Sequence, residues 1–118
     1  MRMIKAAIAA LTIPVMCASI AVADDERDAE YNILLNTVSR MRITSENCHV
    51  RFDDKYDRDF LAAVGDLNLD VGKVTQDLID YYKAEKGRSG DRCFDGQVEH
   101  LATLDRIFRR TLADFQKN

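Results

Sequence analysis

Proline and tryptophan are nearly absent from this chain. Its 118 residues include one proline, Pro14, no tryptophan and five glycines. Because proline interrupts helices and both proline and glycine punctuate turns, their scarcity after residue 14 favours long helices over a turn-rich β fold. No segment shows the alternation of apolar and polar residues that a half-buried strand requires. We therefore predict an all-α fold.

The sequence also lacks the motifs of the common enzyme classes. It contains no glycine-rich phosphate loop, no nucleophile elbow and no His-Glu-x-x-His zinc motif. Its few serines stand beside no evident base, and its two histidines are His49 and His100. The net charge of −3 argues against a nucleic-acid surface, which needs clustered, excess Lys and Arg. We predict a protein that is not an enzyme, needs no cofactor and binds no nucleic acid.

The first 23 residues have the pattern of a secretory signal peptide. Arg2 and Lys5 precede an apolar run that continues to Met16, and the segment ends in Ala21-Val22-Ala23 before an acidic stretch. A basic start, a short apolar region and small residues at the cleavage point are what signal peptidase recognises. We predict cleavage after Ala23 and one exported domain, residues 24–118, in the periplasm or secreted. No later stretch is apolar enough to span a membrane.

Cysteine is scarce, and its placement predicts one disulfide. Of the three cysteines, Cys17 lies in the predicted signal segment, which leaves Cys48 and Cys93. Two cysteines in an oxidising compartment usually pair. The alternative is a pair of free thiols, but a redox couple usually takes the form Cys-x-x-Cys and a zinc site needs further ligands nearby. We predict a structural disulfide between Cys48 and Cys93.

Apolar residues recur at intervals of three and four in four segments, as on one face of a helix. The four stripes are Tyr31, Leu34, Leu35, Val38 and Met41; Phe60, Leu61, Val64, Leu67 and Val71; Val74, Leu78, Tyr81 and Tyr82; and Val98, Leu101, Leu104, Phe108, Leu112 and Phe115. The second and third stripes share one rhythm, so a single long helix is an alternative there. The first helix is predicted over residues 28–45, after a solvated tail at residues 24–28.

The predicted disulfide decides between three helices and four. In an up-down bundle of three, Cys48 and Cys93 would lie at opposite ends of a helix about 40 Å long, whereas their Cα atoms must approach to about 6 Å. With four helices both cysteines lie at the same end. We therefore predict a small antiparallel bundle of about four helices, clamped by one disulfide, with a break near residues 70–73.

One acidic stretch resembles the calcium loop of EF-hand and dockerin-type modules. Asp66, Asn68 and Asp70 place side-chain oxygens at positions 1, 3 and 5 of that loop, and Asp77 stands at position 12. The stretch departs from the pattern where Val71 replaces the glycine of the sharp turn. The resemblance implies, as an alternative function, a divalent-cation site formed by these four side chains. A solvated helix face is the other interpretation.

A second acidic run, residues 53–59, precedes the second apolar stripe and contains four aspartates. Acidic residues are favoured at a helix start, where they cap the helix and oppose its dipole. The run therefore predicts the beginning of a helix. Binding of a cation or of a basic partner is the alternative.

Four aromatic residues outside or at the edge of the stripes are candidates for contact with a partner: Phe52, Tyr56, Tyr82 and Phe94. Interfaces favour aromatic anchors with a charged rim, although each of the four could instead be buried in the core. We predict a protein-binding module whose partner is another periplasmic or envelope protein. A stress chaperone is a further hypothesis, because small acid-activated periplasmic chaperones share the layout of four helices and one long-range disulfide. None of their local motifs occurs here.

Overall fold

The computed structural model describes the backbone of residues 14–117 and the side chains of residues 26–117. Residues 1–13, the larger part of the predicted signal segment, lie outside the described residues. The chain divides into two compact units, and the second of them, Glu30–Lys117, contains the hydrophobic core. Within the described part, no helix has both the length and the apolar character needed to cross a membrane.

Four helices make up the described chain: α1 (Pro14–Asn47), α2 (Lys55–Asp66), α3 (Val71–Ser89) and α4 (Gln97–Lys117). No strand occurs among residues 14–117. The predicted all-α fold with four helices is confirmed. One detail was wrong, because residues 24–28 belong to α1 instead of forming a tail. The chain contains neither glycine nor proline between Val15 and Asn47, so nothing in the local sequence ends the helix there.

A short connection at residues 67–70 separates α2 from α3, slightly earlier than the predicted break at residues 70–73. Within it, Asn68 adopts a left-handed φ of 58°, a conformation that asparagine tolerates better than most residues. Asp70 then caps α3, because its carboxylate accepts the backbone N–H of Lys73 at 3.1 Å. Turn and capping chemistry therefore sets the position of the break.

The core of the second unit is formed by the apolar stripes of all four helices. Leu34 of α1, Phe60 of α2, and Phe108 and Phe115 of α4 are fully buried, and Val74 of α3 is buried beside them. The rings of Phe60 and Phe115 meet edge to face, with centroids 6.0 Å apart and planes at 80°. Every helix therefore contributes apolar side chains to one continuous cluster.

The predicted disulfide is confirmed. Cys48, just after α1, is bonded to Cys93, just before α4. Beside the bond, Asn47 Nδ2 donates to the carbonyl oxygens of Gly90 at 3.1 Å and Arg92 at 3.2 Å. The end of α1 is thus fastened to the α3–α4 connection by one covalent bond and by a side-chain amide. We call this the disulfide clamp.

Breaking the disulfide should destabilise the fold. The bonded cysteines are 45 residues apart, and in the chain-entropy model closing a loop of this size contributes roughly 4 kcal/mol. We expect Cys48→Ser, Cys93→Ser and the double variant to unfold at lower urea concentration than wild type, by similar amounts, when helicity is followed by circular dichroism. Reduced wild type is the matched control and should unfold together with the double variant. An unchanged midpoint on reduction would contradict the prediction.

Candidate functional site

Two of the aromatic residues predicted to contact a partner, Phe52 and Tyr56, lie side by side and half-buried against the core. Their ring centroids are 6.2 Å apart, and the ring of Tyr56 meets that of Phe108 edge to face at 5.1 Å. The Tyr56 hydroxyl donates to Asp105 Oδ1 at 2.6 Å, and its burial, with this hydrogen bond, raises the pKa of Tyr56 to about 12. These contacts fasten α2 to α4.

The other two predicted contact residues lie elsewhere. Tyr82 is on α3, and its hydroxyl donates to Glu46 of α1. Phe94 lies in the α3–α4 connection with half of its surface exposed (50%), and the guanidinium of Arg92 lies over its ring. Of the four predicted residues, Phe94 alone is strongly exposed.

The aspartates of the calcium-like stretch are placed along a helix–loop–helix segment. Asp66 is the last residue of α2, and Asn68 follows in the loop. Asp70 caps α3, and Asp77 accepts hydrogen bonds from Lys73 Nζ at 2.7 Å and from the Tyr31 hydroxyl. Among residues 26–117, no three His, Cys, Asp or Glu side chains converge as they would around a metal ion. The calcium hypothesis therefore gains no support from the geometry.

The acidic run at residues 53–59 starts α2, as the sequence indicates, and two of its four carboxylates pair with cations on other helices. Asp57 pairs with Arg42 of α1, and Asp59 pairs with Arg109 of α4 at 2.8 Å. The run thus also contributes to the contacts between helices. Asp57 and its partner Arg42 also lie at the edge of a cavity.

That cavity is a cleft of about 420 Å³ between α1, α2 and α3, which we call the α1–α3 cleft. Its apolar lining consists of Val38, Leu61, Leu78 and Ile79. Its polar lining consists of Ser39, Arg42, Glu46, Asp57, Thr75, Tyr82 and Lys83. Polar residues therefore outnumber apolar ones in the lining, seven to four, and the volume lies within the usual range of small-molecule sites.

Two buried polar atoms in the residues that line the cleft lack a hydrogen-bond partner among residues 26–117. They are Ser39 Oγ and Asp57 Oδ1. Ser39 is only 2% exposed. The equally buried Thr37, two residues earlier on the same helix, donates its hydroxyl to the Ile33 carbonyl at 2.6 Å. The isolation of the Ser39 hydroxyl is therefore not a general property of α1.

Only one of the two carboxylate oxygens of Asp57 has a hydrogen-bond partner among residues 26–117. Its Oδ2 accepts a hydrogen bond from Arg42, whereas its Oδ1 is buried without a donor. Burial raises the pKa of the Asp57 carboxyl above its usual value, although the neighbouring Arg42 acts in the opposite direction. The guanidinium of Arg42 also lies over the ring of Phe52, 4.4 Å from its centroid, which holds it in place. The cleft is thus bordered by an anchored ion pair, in which one carboxylate oxygen of Asp57 is paired and the other is buried.

The sequence analysis did not single out Ser39. A signal for its burial was available, because Ser39 follows Leu35 by four residues and so lies on the same side of α1 as part of the apolar stripe. Asp57 was noticed only as one of four acids at a helix start. Its role at the cleft depends on Arg42, which comes from another helix.

The two aspartates with opposite pKa shifts form a matched pair for a pH test. Burial raises the pKa of Asp57, whereas hydrogen bonds from Lys73 and Tyr31 lower the pKa of Asp77. A raised pKa means that the folded state holds its proton more tightly, so the stability contributed by Asp57 increases as the pH falls. The stability contributed by Asp77 is present above its unfolded pKa and is lost as the pH falls through its folded pKa.

Between pH 7 and about pH 3, we therefore expect the differences in free energy of unfolding between wild type and the two Asp→Asn variants to change in opposite directions. The free energy of unfolding of wild type relative to Asp57→Asn should shift in favour of wild type as the pH falls. Relative to Asp77→Asn, it should shift against wild type. Urea denaturation at stepped pH measures both differences, and trends of the same sign would contradict the assignment.

Removing the unpartnered hydroxyl should not harm the fold. A buried polar group without a partner costs about 1–3 kcal/mol, so Ser39→Ala should leave the free energy of unfolding unchanged or increase it. The matched control is Thr37→Val, which removes a hydroxyl that has a partner and should cost about 1 kcal/mol. Urea denaturation of both variants checks the contrast, and the reverse order would show that Ser39 has a partner in solution.

The chain matches no family model, no curated protein and no solved structure. No residue role is therefore transferred from a relative.

Proposed function

We propose that the protein is a small exported, non-enzymatic binding protein and that the α1–α3 cleft is its binding site. The observation that carries the proposal is the cleft itself, a cavity of about 420 Å³ between three helices that combines apolar side chains with the ion pair of Arg42 and Asp57. A bound molecule would cover the apolar side chains of this cleft, Val38, Leu61, Leu78 and Ile79.

The arrangement favours binding over catalysis. A serine nucleophile needs an adjacent base to take its proton, and the Ser39 hydroxyl has no hydrogen-bond partner among residues 26–117. The cleft is lined by no histidine within the described residues. Both His49 and His100 are exposed, and His100 lines a different groove, between α1 and α4. The polar groups of the cleft are therefore suited to holding a ligand.

Two features support an exported location. The predicted signal segment, residues 1–23, would direct the chain out of the cytoplasm. The Cys48–Cys93 disulfide is of a kind that persists mainly in oxidising compartments. We therefore propose a periplasmic or envelope partner. Of the four aromatic residues predicted to contact it, only Tyr82 lines the cleft, and the proposal retains that residue.

The test compares two substitutions of exposed isoleucines on different faces. Ile79 lines the cleft and is 42% exposed, whereas Ile107 lies on α4 outside the cleft and is 38% exposed. Because both side chains reach solvent, arginine at either position should leave the fold intact, but Ile79→Arg places a charge at the cleft. Wild type, Ile79→Arg and Ile107→Arg, each purified with the disulfide formed, are immobilised and exposed to envelope extract. Captured proteins and small molecules are identified by mass spectrometry.

We expect at least one species to be retained by wild type and by Ile107→Arg and to be lost with Ile79→Arg. Circular dichroism and urea denaturation of each variant confirm that the fold is unchanged. Retention of the same species by all three proteins would contradict the assignment of the cleft as the binding site.

A further inference from the structure

We propose that the α1–α3 cleft binds a small amphipathic anion, such as a carboxylate on an aliphatic or aromatic body. This inference rests on the proposed function, because it names the class of ligand for the same site. It is drawn from the contacts of the charged residues that line the cleft, from its apolar side chains and from its volume.

The negatively charged residues of the cleft already have partners. Asp57 accepts a hydrogen bond from Arg42 at one carboxylate oxygen, and its other oxygen is buried. Glu46 accepts the hydroxyl of Tyr82 and lies 3.8 Å from the ammonium of Lys86. A cationic ligand would therefore have to share either carboxylate with a group of the chain.

Lys83 is the one charged residue of the lining that has no ion-pair partner among residues 26–117. The acid three residues before it on α3, Asp80, instead accepts a hydrogen bond from Gln76 at 2.9 Å. Lys83 follows Ile79 by about one helical turn, and both residues are exposed and line the cleft. An anionic group bound beside Lys83 would therefore gain a cationic partner without displacing a contact of the fold.

The apolar side chains of the cleft would cover the body of the ligand. Val38 of α1, Leu61 of α2, and Leu78 and Ile79 of α3 line it together. Because Ile79 is 42% exposed, a bound molecule would remove apolar surface from water, which is favourable. An inorganic anion would pair with Lys83 but would leave these side chains uncovered. The lining therefore favours an anion that also has an apolar body.

The size of the cleft favours a free molecule over a protein partner. Its volume of about 420 Å³ exceeds the roughly 150 Å³ of an engineered cavity that holds one benzene molecule. Eleven residues line it, whereas a standard protein interface takes about 20–30 residues from each partner. A molecule with one or two rings, or with an aliphatic chain of similar volume, matches the cleft.

The test uses octanoate, 1-octanol and octylammonium, which share one aliphatic chain length and differ in the charge of the head. Binding to the purified, disulfide-bonded protein is measured at neutral pH by isothermal titration calorimetry. We expect octanoate to bind saturably and 1-octanol to bind about 2- to 5-fold more weakly, the ratio that one solvent-exposed ion pair provides. Octylammonium should bind more weakly than 1-octanol, because its charge has the same sign as that of Lys83.

Three substitutions at exposed residues separate the charge of the site from its apolar wall. Lys83→Gln should weaken octanoate about 2- to 5-fold and leave 1-octanol unchanged, since it removes only the cation. Arg40→Gln is the matched control, because Arg40 lines the groove between α1 and α4, and it should change neither. Ile79→Gln should weaken octanoate and 1-octanol alike, because it removes apolar surface but no charge. Circular dichroism of each variant checks that the fold persists.

Each other outcome would overturn a stated part of the proposal. Equal binding of octanoate and 1-octanol, or tighter binding of octylammonium, would remove the anionic group. Loss of octanoate binding in Arg40→Gln but not in Lys83→Gln would place the anion in the groove between α1 and α4. Tighter binding of the peptide acetyl-Gly-Gly-Leu than of octanoate would replace the free molecule with the C-terminus of a protein partner.

The capture experiment separates this inference from the proposed function. If none of the three molecules binds while capture from extract still depends on Ile79, the ligand class is wrong and the proposed function stands. If capture is also independent of Ile79, both fail.

Discussion

The burial of α1 on most of its circumference is the constraint on which the rest of the structure depends. Between Leu34 and Ser39 every residue except Asn36 is buried. A helix that packs on one side only buries about three residues in seven. α1 therefore has neighbours on several sides, and its apolar residues join those of α2, α3 and α4 in a single core. The central position of this helix determines which of its polar residues must also be enclosed.

The buried polar residues of α1 differ in whether, and where, they find a hydrogen-bond partner. Thr37 is satisfied by the backbone of its own helix, at the Ile33 carbonyl. Asn47 is satisfied by the carbonyls of the α3–α4 connection and so becomes part of the disulfide clamp. Ser39 is enclosed without a hydrogen-bond partner among residues 26–117, beside the cleft that α1 forms with α2 and α3. One packing constraint thus produces a structural fastening at the end of the helix and a candidate binding site at its middle.

The fold can tolerate the energetic cost of a buried hydroxyl that has no hydrogen-bond partner. An unpartnered buried hydroxyl costs about 1–3 kcal/mol, which is a noticeable part of the 5–15 kcal/mol by which domains are typically stable. The disulfide contributes roughly 4 kcal/mol in the chain-entropy model and offsets that cost. Natural proteins commonly depart from local rules at functional sites and compensate elsewhere. Here the unpartnered hydroxyl lies beside the cleft, and the disulfide clamp supplies the compensating stability.

Much of the fold could be predicted from local sequence. The scarcity of proline and the four apolar stripes determined an all-helical chain, because helix periodicity is a property of neighbouring residues. The count of cysteines determined the pairing of Cys48 with Cys93, and that pairing determined four helices through simple geometry. The start of α1 and the position of the α2–α3 break were less accurate, because caps and turns depend on single residues such as Asn68 and Asp70.

The site, by contrast, was decided by tertiary structure. Periodicity places Ser39 on the buried side of α1, but whether its hydroxyl has a partner depends on atoms of α2 and α3 that packing brings near it. Asp57 has the sequence context of an ordinary acid at a helix start, and only the tertiary structure pairs one of its oxygens with Arg42 of α1 and buries the other without a partner. Helix formation is governed by contacts three and four residues apart, whereas the pairing of buried polar atoms is governed by contacts between helices. The sequence alone therefore determined the helices and the disulfide, whereas packing determined the Asn47 contacts of the clamp and the cleft.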